Sequence, residues 1–326
     1  MVKRLLKNNE AILFFILLIL SIVFGMINPT FFSLGNVFDI TKNSIEMGIL
    51  SLGVLLVLIS GGIDVSFMAI SAFAMYSVVK LYIAVNPNTN ILLLFLTAAI
   101  IGALLGLFNA WLIHRFKLSA FIITLGTANV FRGILLSFVG SDHIIDIPGS
   151  LIDFSKMNII EYVDPQGVTY GLHISVILLI ILAVTIHLIL KYTTMGRSIY
   201  AMGGDYISAE RIGIHIKKVH VFVYCTAGLL AGINGIIHSS LVRMASPFDL
   251  VGDELNVIAA VVLGGASITG GKGSVLGTIL GVLTIVTINS SLILLHVSSY
   301  WQKVVTGLII IGAISLQAYQ NKKKKV

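Results

Sequence analysis

Charge is what this sequence has least of. Only 11% of its 326 residues are charged, against about 25% in a soluble domain, and its mean hydropathy is +1.03. A water-soluble surface cannot be built from so few charges. The single cysteine, Cys225, excludes an intramolecular disulfide and a thiolate metal cluster. Lying in an apolar run, it reads as a small buried hydrophobe. Prolines number five, and no Pro/Ser-rich linker or low-complexity block breaks the chain before the terminal lysines, so residues 1–326 read as one membrane domain. The eight histidines, among them His114, His187, His215 and His238, show no metal-ligand spacing, and no Ser/His/Asp or Cys/His set stands out. No metal, cofactor or enzyme chemistry is expected. The ten-residue alternation of a β-barrel is missing as well.

What is present is a succession of apolar runs. A hydrocarbon core about 30 Å thick takes roughly 20 apolar residues per helix, and only helices satisfy their own backbone groups in lipid without closing into a barrel. The runs predict about ten transmembrane helices, near residues 10–28, 44–61, 66–85, 91–113, 119–138, 171–190, 219–241, 255–267, 274–295 and 300–318, the eighth of them short. The fold class is an all-α membrane protein. The apolar run after Met1-Val-Lys-Arg is too long for a signal-peptide core and lacks a small-x-small site, so it reads as a retained first helix.

Basic residues give the orientation, since cytoplasmic segments carry the excess. Lys3, Arg4 and Lys7; Arg115 and Lys117; Lys191, Arg197, Arg211, Lys217 and Lys218; and Lys322 to Lys325 all fall on one side of a ten-span chain. Both termini are then cytoplasmic, and the acidic segment from Val139 to Tyr170 faces the other way. The net charge of +7 follows from topology and calls for no nucleic acid. Trp111 and Trp301, near helix ends, read as interfacial belt residues.

Two halves of five helices can be overlaid. At an offset of 180 residues Asn109-Ala-Trp-Leu-Ile meets Asn289-Ser-Ser-Leu-Ile, and Ser119-Ala-Phe meets Ser299-Tyr-Trp. Further upstream, with a gap, Gly62-Ile-Asp64 faces Gly252-Asp253-Glu254. An odd number of helices per half makes the repeat inverted, and inverted repeats place a solute path at their interface.

Three motifs carry the functional argument. Ser60-Gly-Gly-Ile-Asp-Val-Ser66 joins two spans, and an ionisable Asp64 near membrane depth is costly unless it faces water, protein or a partner. Two readings stand: Asp64 and Ser66 beside a solute path or gate, or Asp64 as a cap of the next helix. In the long basic segment, Gly203-Gly204 turns, Asp205 can cap, and Tyr206 to Ile212 is long enough for two helical turns before Gly213. Its Glu210 and Arg211 are too mixed for a membrane-surface anchor and favour a docking knob for a cytoplasmic partner. The glycine-rich run from Glu254 to Ser274 is not a phosphate loop: Gly273 follows Lys272 where Ser or Thr would hold the metal. Its glycines, like the pairs Gly102/Gly106, Gly228/Gly232 and Gly277/Gly281, fit close helix packing.

Ser60 to Ser66, Phe121-Ile-Ile-Thr-Leu-Gly-Thr127 with Arg132-Gly133, Gly196-Arg197 through Gly213-Ile214, and Glu254-Leu255 through Gly277 together resemble the ribose-type monosaccharide permeases of bacterial ABC importers. The resemblance runs from about Asn28 to Ala318. It implies a multi-pass subunit of the bacterial cytoplasmic membrane, in contact with lipid and paired with a second permease subunit, identical or related. Two ATP-binding subunits would dock on its cytoplasmic loops, and an extracytoplasmic binding protein would deliver the solute. The coupling loop would be Gly203, Gly204, Asp205, Tyr206, Ser208, Ala209, Glu210, Arg211 and Gly213, although the family commonly has Asn and Ala where this chain has Asp205 and Ser208. An uncharged sugar needs hydroxyl and amide groups along its path, and Ser66, Asn109, Thr124, Thr127 and Asn256 are candidates beside Asp64. The family also contains permeases for a furanosyl quorum signal, which these motifs do not separate. The rival expectations are a secondary transporter carrying protons on Asp64 or Glu254 and, more weakly, a structural scaffold or channel.

Overall fold

The computed structural model describes residues 9–164, 167–298, 300–308 and 311–312. Among the described residues, eight helices are long and apolar enough to cross a membrane. They are α1 (Asn9–Ile27), α2 (Leu34–Ile59), α3 (Phe67–Val85), α4 (Ile91–Phe116), α5 (Ala120–Ile134, continued by a π-helical turn at Leu135–Val139), α7 (Ser175–Tyr192), α10 (Ile216–Val242) and α12 (Val275–Leu294). Between them lie the short helices α6 (Gly149–Ser155), α8 (Thr194–Gly204), α9 (Tyr206–Arg211) and α11 (Glu254–Leu263). The chain is an all-α multi-pass membrane protein.

Local chemistry sets several of the helix ends. Ser33, Asn90, Thr193 and Ser274 each accept a backbone N–H of the first turn, at 3.2, 2.9, 3.0 and 3.1 Å, which satisfies donors a helix start leaves open. Lys117 and Arg243 close α4 and α10 in the left-handed conformation. Burial then sorts the helices: α2, α3, α10 and α12 are largely enclosed, while α1, α4, α5 and α7 turn long rows of Leu, Ile and Phe outward to where lipid would lie.

The core is organised on α10, which packs along α4 and also against α2 and α3. Glycine makes the α4–α10 contact possible. A Cβ at Gly102 would strike the Gly228 carbonyl, one at Gly106 the Tyr224 carbonyl, and one at Gly232 the Ala98 carbonyl. The two backbones touch at four-residue spacing, the small-residue packing that substitutes for a hydrophobic drive in lipid. A second such contact joins α11 and α12, where Gly281 abuts the Ala260 carbonyl and Gly277 that of Gly264.

The structure departs from the sequence expectation in two places. The second helix starts at Leu34 rather than 44, because Ser33 caps a first turn whose mixed composition hid it. The segment from Val139 to Tyr170 holds α6 and an antiparallel hairpin, β1 (Asn158–Val163) with β2 (Thr169–His173), so the sixth span begins at Ser175 and not at 171. Side chains of α10 and the residue after it hold this segment down: Ser240 Oγ donates to the Leu151 carbonyl at 2.8 Å, and Arg243 Nε to Ser155 Oγ at 3.0 Å. The eighth run is short, as expected: α11 has ten residues, about 15 Å of helix, or half of a hydrocarbon core about 30 Å thick. Residues 300–308 and 311–312 of the tenth expected span are helical, while the rest of that span and both terminal lysine-arginine clusters lie outside the described residues.

Candidate functional site

Two features along α2 bear on function, a polar cavity beside its middle and a packed floor at its C-terminal end that carries an ordered loop. The floor starts where α2 stops. Gly271 N–H donates to the Ile59 carbonyl at 2.9 Å, and Gly203 lies so close to that carbonyl that a Cβ would overlap it. Tyr200 Oη donates to the Gly273 carbonyl at 2.7 Å. The glycine-rich turn after α11, where Gly270 and Gly271 take positive φ of 89° and 71°, is therefore seated against the end of α8. Tyr200 is half-buried, and burial raises its phenol above the usual value. The phenol thus stays a neutral donor.

From this floor the loop projects outward. Asp205 accepts from Ile207 N–H at 3.0 Å and Ser208 N–H at 3.1 Å, and Ser208 Oγ–H donates to the second carboxylate oxygen at 2.6 Å. These bonds from Ser208 hold the Asp205 carboxyl below the usual carboxylate range, so the cap is ionised at neutral pH. Of the α9 side chains only Ala209 is buried; Tyr206, Ile207, Glu210 and Arg211, and Ile212 beyond the helix, are exposed, and Gly213 turns the chain at φ +88°. The expected short helix before Gly213 is present.

Four of the six expected path residues gather in one buried knot beside this floor. Ser66 N–H and Oγ–H both donate to Asp64 Oδ1, each at 2.6 Å, and Asn109 Nδ2 donates to Ser66 Oγ at 2.7 Å. Thr124 Oγ1 accepts from Val65 N–H at 3.2 Å and donates to the Ile63 carbonyl at 3.3 Å. The Asp64 carboxylate thus folds back over the turn that starts α3, with α4 and α5 supplying Asn109 and Thr124. Thr127 donates to the Thr124 carbonyl within α5. What the knot needs at position 64 is an acceptor, so Asp64→Asn is expected to keep solute uptake within about threefold. Asp64→Leu, which strands two buried donors at roughly 1–3 kcal/mol each, is expected to lower the amount of folded protein. Quantifying inserted protein and uptake for the two variants checks this.

The cavity lies beside the middle of α2. It has a volume of about 340 Å³ and is walled by α2, α10, α11 and α12 and the segment before α11. Glu46 lies thirteen residues before Ile59, about 20 Å along the helix. The polar wall includes Asn43, Glu46, His238, Asp249, Asp253, Asn256, Asn289 and Ser290, of which Asn256 alone is among the path residues expected from sequence. His238 Nδ1 lies 2.7 Å from Glu46 Oε2, and its Nε2 is 4.0 Å from Asp249. A signal for this pair did exist in the sequence: an acidic residue inside an apolar span is costly and rarely idle. His238 gave none, because its partner stands 192 positions away.

The wall offers carboxylate acceptors and amide donors with a few apolar side chains between, a lining suited to a small hydroxylated molecule. No solved structure matches this chain significantly. Known sequences do. It is 36% identical to the ribose import permease protein of Bacillus subtilis over 92% of this chain and 90% of that one. It is 33% identical to the ribose import permease protein of Haemophilus influenzae over 95% and 94%, and 32% identical to the D-allose transport system permease protein of Escherichia coli over 95% and 91%. The family model described as branched-chain amino acid transport system / permease component matches residues 36–314. With that match across nearly all of its helical core, the chain belongs to this family of transport-system permease components, among the ribose-type permeases of ABC importers that its motifs resemble.

Proposed function

We propose that this chain is the membrane-spanning permease subunit of a bacterial ABC importer, and that it passes a monosaccharide across the cytoplasmic membrane through the cavity between α2, α10, α11 and α12. The observation that carries the reading is the pairing of that cavity with the capped loop at the C-terminal end of the same helix. A solute chamber and a docking knob, joined by rigid helices, are what transport driven from outside the bilayer requires. The chain itself would hydrolyse nothing. Two ATP-binding subunits would seat on Tyr206 to Gly213, a second permease would complete the path, and an extracytoplasmic binding protein would bring the sugar to the face opposite that loop. Alternating access would then come from the helix halves rocking against each other. The packing supports an inverted repeat: α10 follows α2 and α12 follows α4 at the repeat spacing, and α4 lies on α10 as α12 lies on α2.

Purification of the tagged chain from its native membrane is expected to bring down an ATP-binding subunit, and the complex to import D-ribose or a related sugar only with ATP. In a chain whose Cys225 is replaced, a cysteine between 141 and 164 is expected to react with an impermeant thiol reagent outside intact cells, and one at Tyr206 is not. Uptake by the chain alone on an ion gradient would return the secondary-transporter reading. Labelling of both positions from one side would break the orientation.

A further inference from the structure

We propose that Glu46 and His238 act as one unit that reads a hydroxyl of the solute, with Glu46 as the specificity-determining acceptor and His238 as the residue that positions it. This deepens the reading of the cavity as a sugar path and rests on it.

Glu46 comes from α2 and His238 from α10, so the 2.7 Å contact between Oε2 and Nδ1 ties two of the helices that wall the cavity. The contact fixes the carboxylate's rotation and uses one oxygen. The other, Oε1, has no hydrogen-bond partner among the described residues, and Glu46 remains about a quarter exposed on the cavity side. A carboxyl group with one oxygen anchored and one open is a directed hydrogen-bond acceptor. A solute hydroxyl is the donor it fits. Asn43, Asn256 and Asn289 line the same space and bring amide groups that both donate and accept, as further hydroxyls of a polyol would need. Asp249 and Asp253, also on the wall, disfavour an anion. The pair is superfluous as a structural tie, because α2 and α10 already pack with Gly53 against Ala227. An ionisable pair between membrane helices is costly to keep without a use.

The test uses the full chain in lipid nanodiscs with Cys225→Ser and Ile293→Cys, the latter at an exposed apolar position on the cavity wall. The rate of thiol alkylation is followed against D-ribose, 2-deoxy-D-ribose, L-isoleucine and putrescine. D-ribose is expected to slow labelling. Adding Glu46→Gln is expected to raise its half-protecting concentration by about tenfold or more, the size of one lost hydrogen bond. His238→Gln, which can still donate to the carboxylate, is expected to raise it less. Glu46→Asp keeps the carboxyl group but withdraws it by one methylene, and gives the same direction if the amide variant does not fold. Equal protection by D-ribose with and without the Glu46 changes overturns the assignment and leaves the sugar path standing. Protection by L-isoleucine or putrescine but not by D-ribose overturns both, as does absence of any protection in a chain whose complete importer takes up no sugar. Absence of protection together with sugar uptake overturns the Glu46 assignment alone.

Discussion

Gly106→Val is expected to remove nearly all folded protein, with the yield of monodisperse material falling by more than about tenfold, whereas Gly133→Val is expected to change it little. The difference follows from what each position faces. A Cβ at Gly106 would overlap the Tyr224 carbonyl and come within 3.3 Å of the Cys225 Cα, both of them backbone of α10, and no side-chain rotation relieves that. Nothing lies within 4 Å of a Cβ at Gly133. Overpacking a core costs about 1–3 kcal/mol where side chains can shift. Here the two helices must part, and the contacts at Gly102, Gly228 and Gly232 part with them. A yield for Gly106→Val equal to that of Gly133→Val, measured by fluorescence-detected size exclusion, would show that the α4–α10 contact does not hold the core together. The parallel change Gly281→Val, against the Ala260 carbonyl, tests the same physics at α11–α12 and is expected to be milder, because one partner there is a ten-residue helix.

That contact also shows how much of the fold the sequence discloses. Gly102/Gly106 and Gly228/Gly232 are visible as small-residue pairs, yet nothing in either string says that they meet each other. Apolar periodicity locates spans because the bilayer imposes one length on all of them. It does not locate Leu34–Ser44, where Asn36, Asp39, Lys42 and Asn43 interrupt the run while the backbone continues as helix. The hairpin at 158–173 has too little alternation to separate it from a loop. At the candidate site the local signals were legible: glycines beside Asp64, a cap at Asp205, a stop at Gly213. Asp205 and Ser208, the two loop positions expected to differ from the family the motifs resemble, bond each other at 2.6 Å in the structure. Glu46 carried a signal as an acidic residue inside an apolar span, but its pairing with His238 was not legible, because it is a tertiary contact between spans 192 positions apart.

The double change Glu210→Arg, Gly213→Val is expected to leave the protein inserted and folded while abolishing sugar uptake by the complete importer. Neither residue is needed for the fold. Glu210 and Gly213 are exposed, and nothing lies within 4 Å of a Cβ at Gly213. Their effect is local: valine at a φ of +88° is strained at a cost of order 1–3 kcal/mol, and relieving the strain redirects the chain between α9 and α10. Arginine at 210 reverses a charge beside Arg211 at the rim of the exposed surface. That surface offers Tyr206, Ile207 and Ile212, large side chains of the kind that carry interface energy at about 2 kcal/mol or more each. Force applied to α9 reaches the cavity through short connections: α9 is capped by Asp205, α8 is wedged by Gly203 against the Ile59 carbonyl, and α2 runs from there to Glu46. ATPase activity of the assembled complex separates the possible causes. Hydrolysis that continues without uptake means the loop transmits the stroke, and hydrolysis that falls with loss of the ATP-binding subunit from the complex means the loop is the dock. Uptake at the unmodified rate, at matched protein levels, would remove this loop from the coupling path.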